Sequence, residues 1–317
     1  MARLNLDRIT SSPGKISSVF LNTPQYQCES LSKILDCQIT IKLEMLNPVR
    51  SFKGRGTDLA VANLIAHNPN TVVVCASAGN LGQALAYSGR SFGIPTTVIA
   101  SVSANPLKLK RIREFGAELH LVPGDFEAAR VFARELSETK GFQLIEDSEN
   151  IDTCEGAATI GLELLQGSDI DVVLVALGGG AMATGIGFVL KNLAPAVQLI
   201  CVQPAGAPAM TLSWQAGKVI ETETADTIAD GVAGRCPIPA VLDDLLEVAD
   251  DTVLVNETSI VRGMRLLYEH CGLVVEPSAA LGIAALLENP ERFKEARVAT
   301  ILCGGNVNHK DFQAWVQ

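Results

Sequence analysis

A lysine stands at an unusual place in the segment RSFKGRGT, residues 50–57. Pro48 ends the strand-like run before it, Ser51 is a candidate helix cap, and Lys53 falls in the first turn of the predicted helix. Because the positive end of a helix disfavours an ammonium group, this position favours the neutral amine that attacks an aldehyde. A solvated lysine at a helix start is the alternative, and Lys53 alone does not exclude it.

A turn of small residues follows an apolar run near residue 76. The segment CASAGN places Ser77, Ala78 and Gly79 before Asn80, and a helix is predicted from about Leu81. Such a turn can present backbone N–H groups to a carboxylate or phosphate, with Asn80 as an additional side-chain donor. An ordinary strand-to-helix turn capped by asparagine explains the same residues.

Three consecutive glycines, residues 178–180, separate another apolar run from a helical pattern. Since each glycine weakens the folded chain, the run favours a phosphate cradle at the start of the helix. Gly178, Gly180 and Ala183 also fit the G-x-G-x-x-A fingerprint of dinucleotide-binding proteins. That fingerprint needs an acidic residue at the end of the next strand, where this chain has Gln203. A nucleotide-binding protein therefore remains the alternative from a different functional class.

A third apolar run ends in ILCGGN, with Cys303 followed by two glycines. A cysteine at a strand end is most often a small buried apolar residue. The glycines nevertheless mark a third strand end of the same kind. Because the carboxyl ends of parallel strands can face one cleft, Cys303 is a further candidate site residue.

The elements that must position these residues alternate between strands and helices. Helical patterns separate six short apolar runs, which lie at 71–76, 96–101, 118–122, 172–177, 198–203 and 297–303. Continuous apolar strands of this kind predict parallel sheets covered on both faces. We predict the α/β class, with two open parallel α/β domains and the site in the cleft between them. The predicted large domain comprises residues 1–66 and 146–317, and the small domain residues 67–145.

One apolar stretch, residues 172–190, is long enough to suggest a membrane span. Its glycines favour a buried strand, a loop and a buried helix instead. The chain has 317 residues, a formal net charge of -10 and a pI near 5.0. It therefore lacks the basic excess that nucleic acid or an anionic membrane would require, and we expect neither as a partner. Small molecules and further copies of the chain are the expected partners.

The eight cysteines have no metal-ligand spacing, and most lie in apolar runs. They are typical of reduced, largely buried thiols in a cytoplasmic protein. The first ten residues, MARLNLDRIT, lack the apolar segment of a signal peptide. A cytoplasmic location is therefore predicted.

Taken in order, these runs resemble the fold type II family of pyridoxal-phosphate enzymes, most closely its serine/threonine dehydratase (threonine ammonia-lyase) branch. The resemblance covers almost the whole chain. The matching runs are NTP (22–24), IKLEMLNPVRSFKGRGT (41–57), ASAGNLGQALA (76–86), EGAATIGLELL (155–165), ALGGGAMATGIG (176–187), ADGVA (229–233), VEPSAALG (275–282) and ILCGGN (301–306).

The resemblance implies pyridoxal 5'-phosphate as the cofactor, bound by Lys53 as a Schiff base, with Lys53 also the catalytic base. Phe52 is then expected to pack against the cofactor ring, Asn80 to bind its hydroxyl, and Cys303 to lie beside its nitrogen. The implied phosphate cradle is Gly178, Gly179, Gly180 and Ala181. The implied substrate loop is Ser77, Ala78, Gly79, Asn80 and Leu81.

The implied reaction is β-elimination, in which L-threonine or L-serine gives a 2-oxo acid and ammonia, helped by the cofactor phosphate. The alternatives are threo-3-hydroxyaspartate ammonia-lyase or another β-elimination or β-replacement enzyme of the family. Serine racemase is less favoured, because Ala78 replaces the serine that moves a proton there. Arg50, where the family commonly has a small residue, is a candidate ligand for a phosphate or a second substrate carboxylate, although a solvent-facing arginine is the simpler interpretation.

The same branch can bind a divalent metal through an acidic residue at the position of Gln203. Glutamine is a poor substitute for that carboxylate, so we expect no Mg²⁺ or Ca²⁺ there. The resemblance further implies a homodimer or homotetramer. Only a short segment follows the last predicted strand, so a C-terminal regulatory domain is not expected.

Overall fold

Two β-sheets form the framework of the protein in the computed structural model, which describes residues 3–124, 126–167 and 169–317. The strands of the described residues are β1 Gln25–Gln27, β2 Gln38–Lys42, β3 Val73–Ala76, β4 Thr96–Ser101, β5 Glu118–Val122, β6 Gln143–Leu144, β7 Val172–Ala176, β8 Gln198–Pro204, β9 Asp251–Val255 and β10 Arg297–Ile301. The larger sheet has the order β1-β2-β10-β7-β8-β9, and the smaller has the order β5-β4-β3-β6. Neighbouring strands are parallel except β1 and β2.

Helices connect the strands and cover the sheets. Their bounds are α1 Leu6–Ser11, α2 Glu29–Leu35, α3 Lys53–His67, α4 Asn80–Phe92, α5 Pro106–Glu114, α6 Phe126–Lys140, α7 Ile151–Gly167, α8 Ala181–Leu193, α9 Ala209–Ala216, α10 Pro239–Val248, α11 Glu257–Cys271, α12 Leu281–Glu288, α13 Pro290–Phe293 and α14 His309–Val316. Single 3-10 turns lie at Ser12–Gly14, Ser18–Phe20, Asp230–Val232 and Pro277–Ala280.

Strand β3 shows why the apolar runs are continuous. Val73 and Cys75 pack into one core cluster with Leu85 of α4, whereas Val74 packs into another with Ala133 of α6. Both faces of the strand are therefore covered, and successive residues point into two different cores. A strand covered on one face only would alternate apolar and polar residues instead.

The predicted α/β class is confirmed, and each of the six apolar runs contains a strand. Residues 172–190 divide into β7, a glycine loop and α8, as the glycines indicated. Three strands were not predicted. β1 has the sequence QYQ, β6 has two residues, and β9 begins with an aspartate and a threonine, so none carries an uninterrupted apolar run.

The smaller sheet lies entirely between Val73 and Leu144, inside the segment predicted as the small domain. The division into residues 1–66 with 146–317 and residues 67–145 stays a proposal. Within the described part of the chain, no helix has the length and apolarity needed to cross a bilayer.

Candidate active site

One cavity of about 650 Å³ contains every residue that the resemblance implied for binding cofactor or substrate. Phe52 and Lys53, residues 77–81, residues 178–181 and Cys303 all lie in its wall. These segments follow β3, β7 and β10, so the cavity lies at the carboxyl ends of strands from both sheets. The structure thus brings the twelve residues together, while their individual roles remain proposals.

Backbone pairing, and not a side-chain cap, positions Lys53. Helix α3 begins at Lys53, and its N-cap residue, Phe52, makes no side-chain capping bond. The prediction that Ser51 caps the helix is wrong, because Ser51 forms an antiparallel bridge with Gly304 and its hydroxyl is buried without a partner among the described residues. The Phe52 N–H donates to the Cys303 carbonyl over 3.0 Å. This pairing ties the lysine to the loop after β10.

The Lys53 amine lies inside the cavity and forms a short ion pair. Its Nζ is 2.5 Å from Oδ2 of Asp147 and 4.5 Å from the centroid of the Phe52 ring. Asp147 follows β6 and also lines the cavity. Its second oxygen, Oδ1, is buried without a hydrogen-bond partner among the described residues. Asp147 was not predicted from the sequence, because β6, with two residues, is too short to mark a strand end.

A buried charge network holds the first turn of α3 in place. Arg55 is fully buried and donates to Glu44 and to Glu163, with N–O distances of 2.6–2.8 Å. Lys42 of β2 donates to Glu163 over 2.5 Å. Burial alone would raise the pKa of Glu163, but the bonds from Arg55 and Lys42 hold that pKa below its usual value. The network joins β2, α3 and α7, and its central residue, Arg55, is two positions after Lys53 in the chain.

Hydrogen bonds on both sides fix the amide of Asn80. Its Nδ2 donates to Oε1 of Glu276 over 2.9 Å, and its Oδ1 accepts from Nδ2 of Asn306 over 2.8 Å. Burial, together with the charge of Asp230, raises the pKa of Glu276. The second N–H of the Asn80 amide stays available for a ligand in the cavity. The helix begins at Asn80, one residue before the predicted Leu81.

The glycine loop has the form of an anion cradle. Gly180 has φ +104°, and a Cβ there would lie 2.5 Å from Val241 Cγ1. The N–H groups of Gly179 and Gly180 donate to no protein acceptor among the described residues. The Ala181 N–H donates to the Ser148 hydroxyl over 3.0 Å. Free backbone donors at the start of α8 fit a phosphate group.

Cys303 lies at the same end of the cavity as Glu276, and burial, together with that carboxylate, strongly raises the pKa of its thiol. The thiol therefore stays protonated and is a weak hydrogen-bond donor. The nearby Ser278 hydroxyl lines the cavity and is buried without a partner among the described residues. These groups together fit pyridoxal phosphate. The residues that would hold it are Lys53 through its amine, residues 178–181 through their backbone donors, Asn80 through its amide and Cys303 through its thiol.

Helix α5, which connects β4 and β5 of the smaller sheet, contacts two loops that connect elements around the larger sheet. Lys108 pairs with Asp230, and both line the cavity. Arg111 donates to Oδ1 of Asn306, the residue that holds the Asn80 amide. Two side chains of α5 thus contact the loops that contain Asp230 and Asn306 beside the candidate site.

Arg50 does not lie where the sequence hypothesis needed it. It has a left-handed φ of +53° and is absent from the cavity wall. Burial and the neighbouring Arg111 lower its pKa. The structure gives no support to a contact between Arg50 and a substrate carboxylate. Arg235, which the sequence analysis did not single out, does line the cavity, and its guanidinium donates to the Glu223 carbonyl over 2.9 Å.

Gln203, at the end of β8, is buried, and its Oε1 accepts a bond from the Thr211 N–H over 2.9 Å. Its side chain is therefore used to hold the start of α9. Across the described ranges, no group of three or more His, Cys, Asp or Glu side chains has the arrangement of a metal site. The expectation that no Mg²⁺ or Ca²⁺ binds at Gln203 stays a prediction.

Comparison with known proteins agrees with this geometry. A family profile described as pyridoxal-phosphate dependent enzyme matches residues 16–304. The L-threonine ammonia-lyase of Thermotoga maritima is 31% identical over 306 residues, which cover 96% of this chain and 76% of that protein. The structure of maize serine racemase superposes with a TM-score of 0.92 at 27% identity, over 98% of this chain and 96% of that one. The structure of a processed threonine deaminase from Solanum lycopersicum superposes with a TM-score of 0.91 at 28% identity, over 98% of this chain and 93% of that one. Matched by this profile over most of its length, the chain belongs to the family of pyridoxal-phosphate-dependent enzymes.

Proposed function

We propose that the protein is a pyridoxal-phosphate-dependent lyase that converts L-threonine or L-serine into a 2-oxo acid and ammonia. The observation that carries this proposal is the convergence of the Lys53 amine, the glycine loop and Asn80 on one cavity. Relatives named threonine ammonia-lyase and threonine dehydratase support the reaction class.

When bound, pyridoxal phosphate supplies an electron-withdrawing ring that stabilises negative charge at the substrate α-carbon. In our proposal, Lys53 takes the proton from that carbon. The turn of residues 77–81 binds the substrate carboxylate, since the small side chains leave its backbone donors accessible. The neutral Cys303 thiol cannot keep a ring nitrogen protonated as a carboxylate would, and a weaker electron sink favours prompt loss of the β-substituent.

Racemisation needs a second proton-carrying group on the opposite face of the substrate. In the proposed substrate loop the relevant position is Ala78, whose side chain carries no proton. The structural likeness to maize serine racemase therefore supports the fold, and we propose elimination as the main reaction.

A second candidate substrate is threo-3-hydroxyaspartate, and Arg235 is the observation that favours it. Among the described residues, this half-buried guanidinium forms no ion pair with a carboxylate, although it lines the cavity. It has further N–H donors for the second carboxylate of such a substrate. This role replaces the one that the sequence suggested for Arg50.

We also propose a cytoplasmic location and a homodimer or homotetramer. Eight free cysteines, six of them buried, suit a reducing compartment. Tyr26, Ile34 and Tyr268 are large side chains that are 43%, 45% and 49% exposed, and self-association would be a way to cover them.

The test is release of 2-oxo acid and ammonia by the purified protein with added pyridoxal phosphate. Substrates are L-serine, D-serine, L-threonine and L-threo-3-hydroxyaspartate. Product from L-threonine or L-serine is the expected result. Product from the hydroxyaspartate alone, lost in Arg235→Gln, would establish the second candidate. A Lys53→Ala variant should lose both activity and the covalently bound cofactor.

A further inference from the structure

The Lys53–Asp147 ion pair is a feature of the cavity that the proposed reaction does not yet use. Its two members are 2.5 Å apart, and both line the cavity. Lys53 is 16% exposed and Asp147 is 30% exposed, so both side chains are half-buried and accessible from the cavity. Two groups at this distance are hydrogen-bonded, so a proton can pass directly between them.

Elimination of water needs an acid as well as a base. Hydroxide is a poor leaving group, since the pKa of water is about 15.7, and a proton supplied in the transition state speeds such a step by roughly 10²–10⁴-fold. The group that supplies this proton must lie in the cavity, close to the lysine that removes the α-proton.

The other carboxylates of the described cavity wall are engaged elsewhere. Glu127 and Glu146 pair with arginines of α6. Asp230 pairs with the lysine of α5 that crosses the cavity. Glu276 accepts bonds from the Asn80 side chain and from the Asn306 backbone N–H. Asp147 differs, because its ion-pair partner is the catalytic lysine itself.

Resting on the proposed function, we propose that Asp147 is the general acid that protonates the departing β-hydroxyl. Oδ1 is buried without a protein partner in the described part of the chain, so the exposed part of the side chain does not include it. Oδ2, which faces Lys53, is the oxygen that donates. Asp147 is thus a catalytic residue that touches the leaving group.

The pair takes up one proton and gives one in the proposed step. Before the step, Lys53 is a neutral amine and Asp147 a carboxylic acid. Lys53 removes the α-proton, the electron pair of that C–H bond forms the Cα–Cβ double bond, and the Cβ–O bond breaks with its electrons on oxygen. Asp147 gives its proton to this oxygen, and water leaves. The pair is then ammonium and carboxylate, the ion pair that the structure contains.

The assignment predicts a dependence on the leaving group. L-Serine loses hydroxide and needs the acid, whereas β-chloro-L-alanine loses chloride, which needs no proton. We expect Asp147→Asn to lower kcat for L-serine by at least about 100-fold, and kcat for β-chloro-L-alanine by less than about tenfold. Asp147→Glu should restore part of the L-serine activity. The control is Glu146→Gln, which removes the adjacent carboxylate and should leave the ratio of the two rates unchanged.

Two further readouts separate this role from a structural one. The visible absorbance of the bound cofactor should persist in Asp147→Asn. Capture of pyridoxal phosphate by the cofactor-free variant should be faster than in the unmodified protein, because there the Lys53 amine is engaged by the Asp147 carboxylate.

Equal losses on both substrates in Asp147→Asn, or no loss on L-serine, would overturn the assignment; the second result would point to the cofactor phosphate as the acid. A different failure is also recognisable. If the unmodified enzyme releases product from β-chloro-L-alanine but from neither L-serine nor L-threonine, the proposed function itself is wrong, and the role of Asp147 with it.

Discussion

Replacement of Arg55 by methionine tests whether the buried charge network holds helix α3, which begins at Lys53, in place. Arg55 and Glu44 both have side chains that are 0% exposed, and they lie 2.8 Å apart. Without Arg55, the Glu44 carboxylate loses its cation in a place that water does not reach. Breaking a buried pair from one side typically costs about 3–5 kcal/mol. At about 2 °C per kcal/mol for a chain of this size, Tm should fall by about 6–10 °C.

The assay is thermal unfolding of Arg55→Met beside two comparison variants. Arg292→Met breaks the pair between Arg292 and Asp251, whose N–O distance of 2.7 Å is similar. The two side chains of that pair are 39% and 38% exposed. A loss of only about 0–1 kcal/mol is expected there. The double variant Arg55→Met/Glu44→Gln removes both charges, while Lys42 still neutralises Glu163 over 2.5 Å. It should be more stable than Arg55→Met alone.

The refuting result would be a double variant no more stable than Arg55→Met. The loss would then come from missing side-chain packing and not from an uncompensated charge.

Further predictions concern acid stability, the glycine loop and the contact between Lys108 and Asp230. The lowered pKa of Glu163 stabilises the fold above the ordinary carboxyl pKa of about 4.3, and this stabilisation is lost as the pH falls through the lowered value; acid titration of unfolding should show a weaker dependence in Glu163→Gln. Gly180→Ala adds a Cβ 2.5 Å from a valine methyl, at a residue with φ +104°. It should lower the free energy of unfolding by about 1–3 kcal/mol and weaken cofactor affinity, which a titration measures. In the control Gly217→Ala, where φ is +65° and the space is open, the loss of stability should be smaller. Asp230→Asn removes the partner of Lys108, a contact worth about 0.2–1 kcal/mol, so steady-state kinetics should show KM raised up to about fivefold with kcat nearly unchanged.

The fold class followed from sequence because the central strands are covered on both faces. Such strands need continuous apolar runs, and the glycine-marked turns after them can be recognised without coordinates. Edge and very short strands were missed, since β1 and β6 carry no such run. The cap expected from Ser51 was wrong for a related reason: a pairing with Gly304, far away in the chain, replaced the local bond.

By itself, the sequence determined the parallel α/β architecture, the catalytic lysine candidate, the glycine cradle and the likeness to pyridoxal-phosphate enzymes. Only the tertiary structure decided which charges meet. Asp147 and Lys53 are 94 positions apart in the chain, yet they form an ion pair. Arg50 is absent from the cavity wall, whereas Arg235 lines it. Local patterns record burial and turns, because these depend on neighbouring residues. Ion pairs across a cleft depend on how two sheets are placed, and no short segment of the chain contains that information.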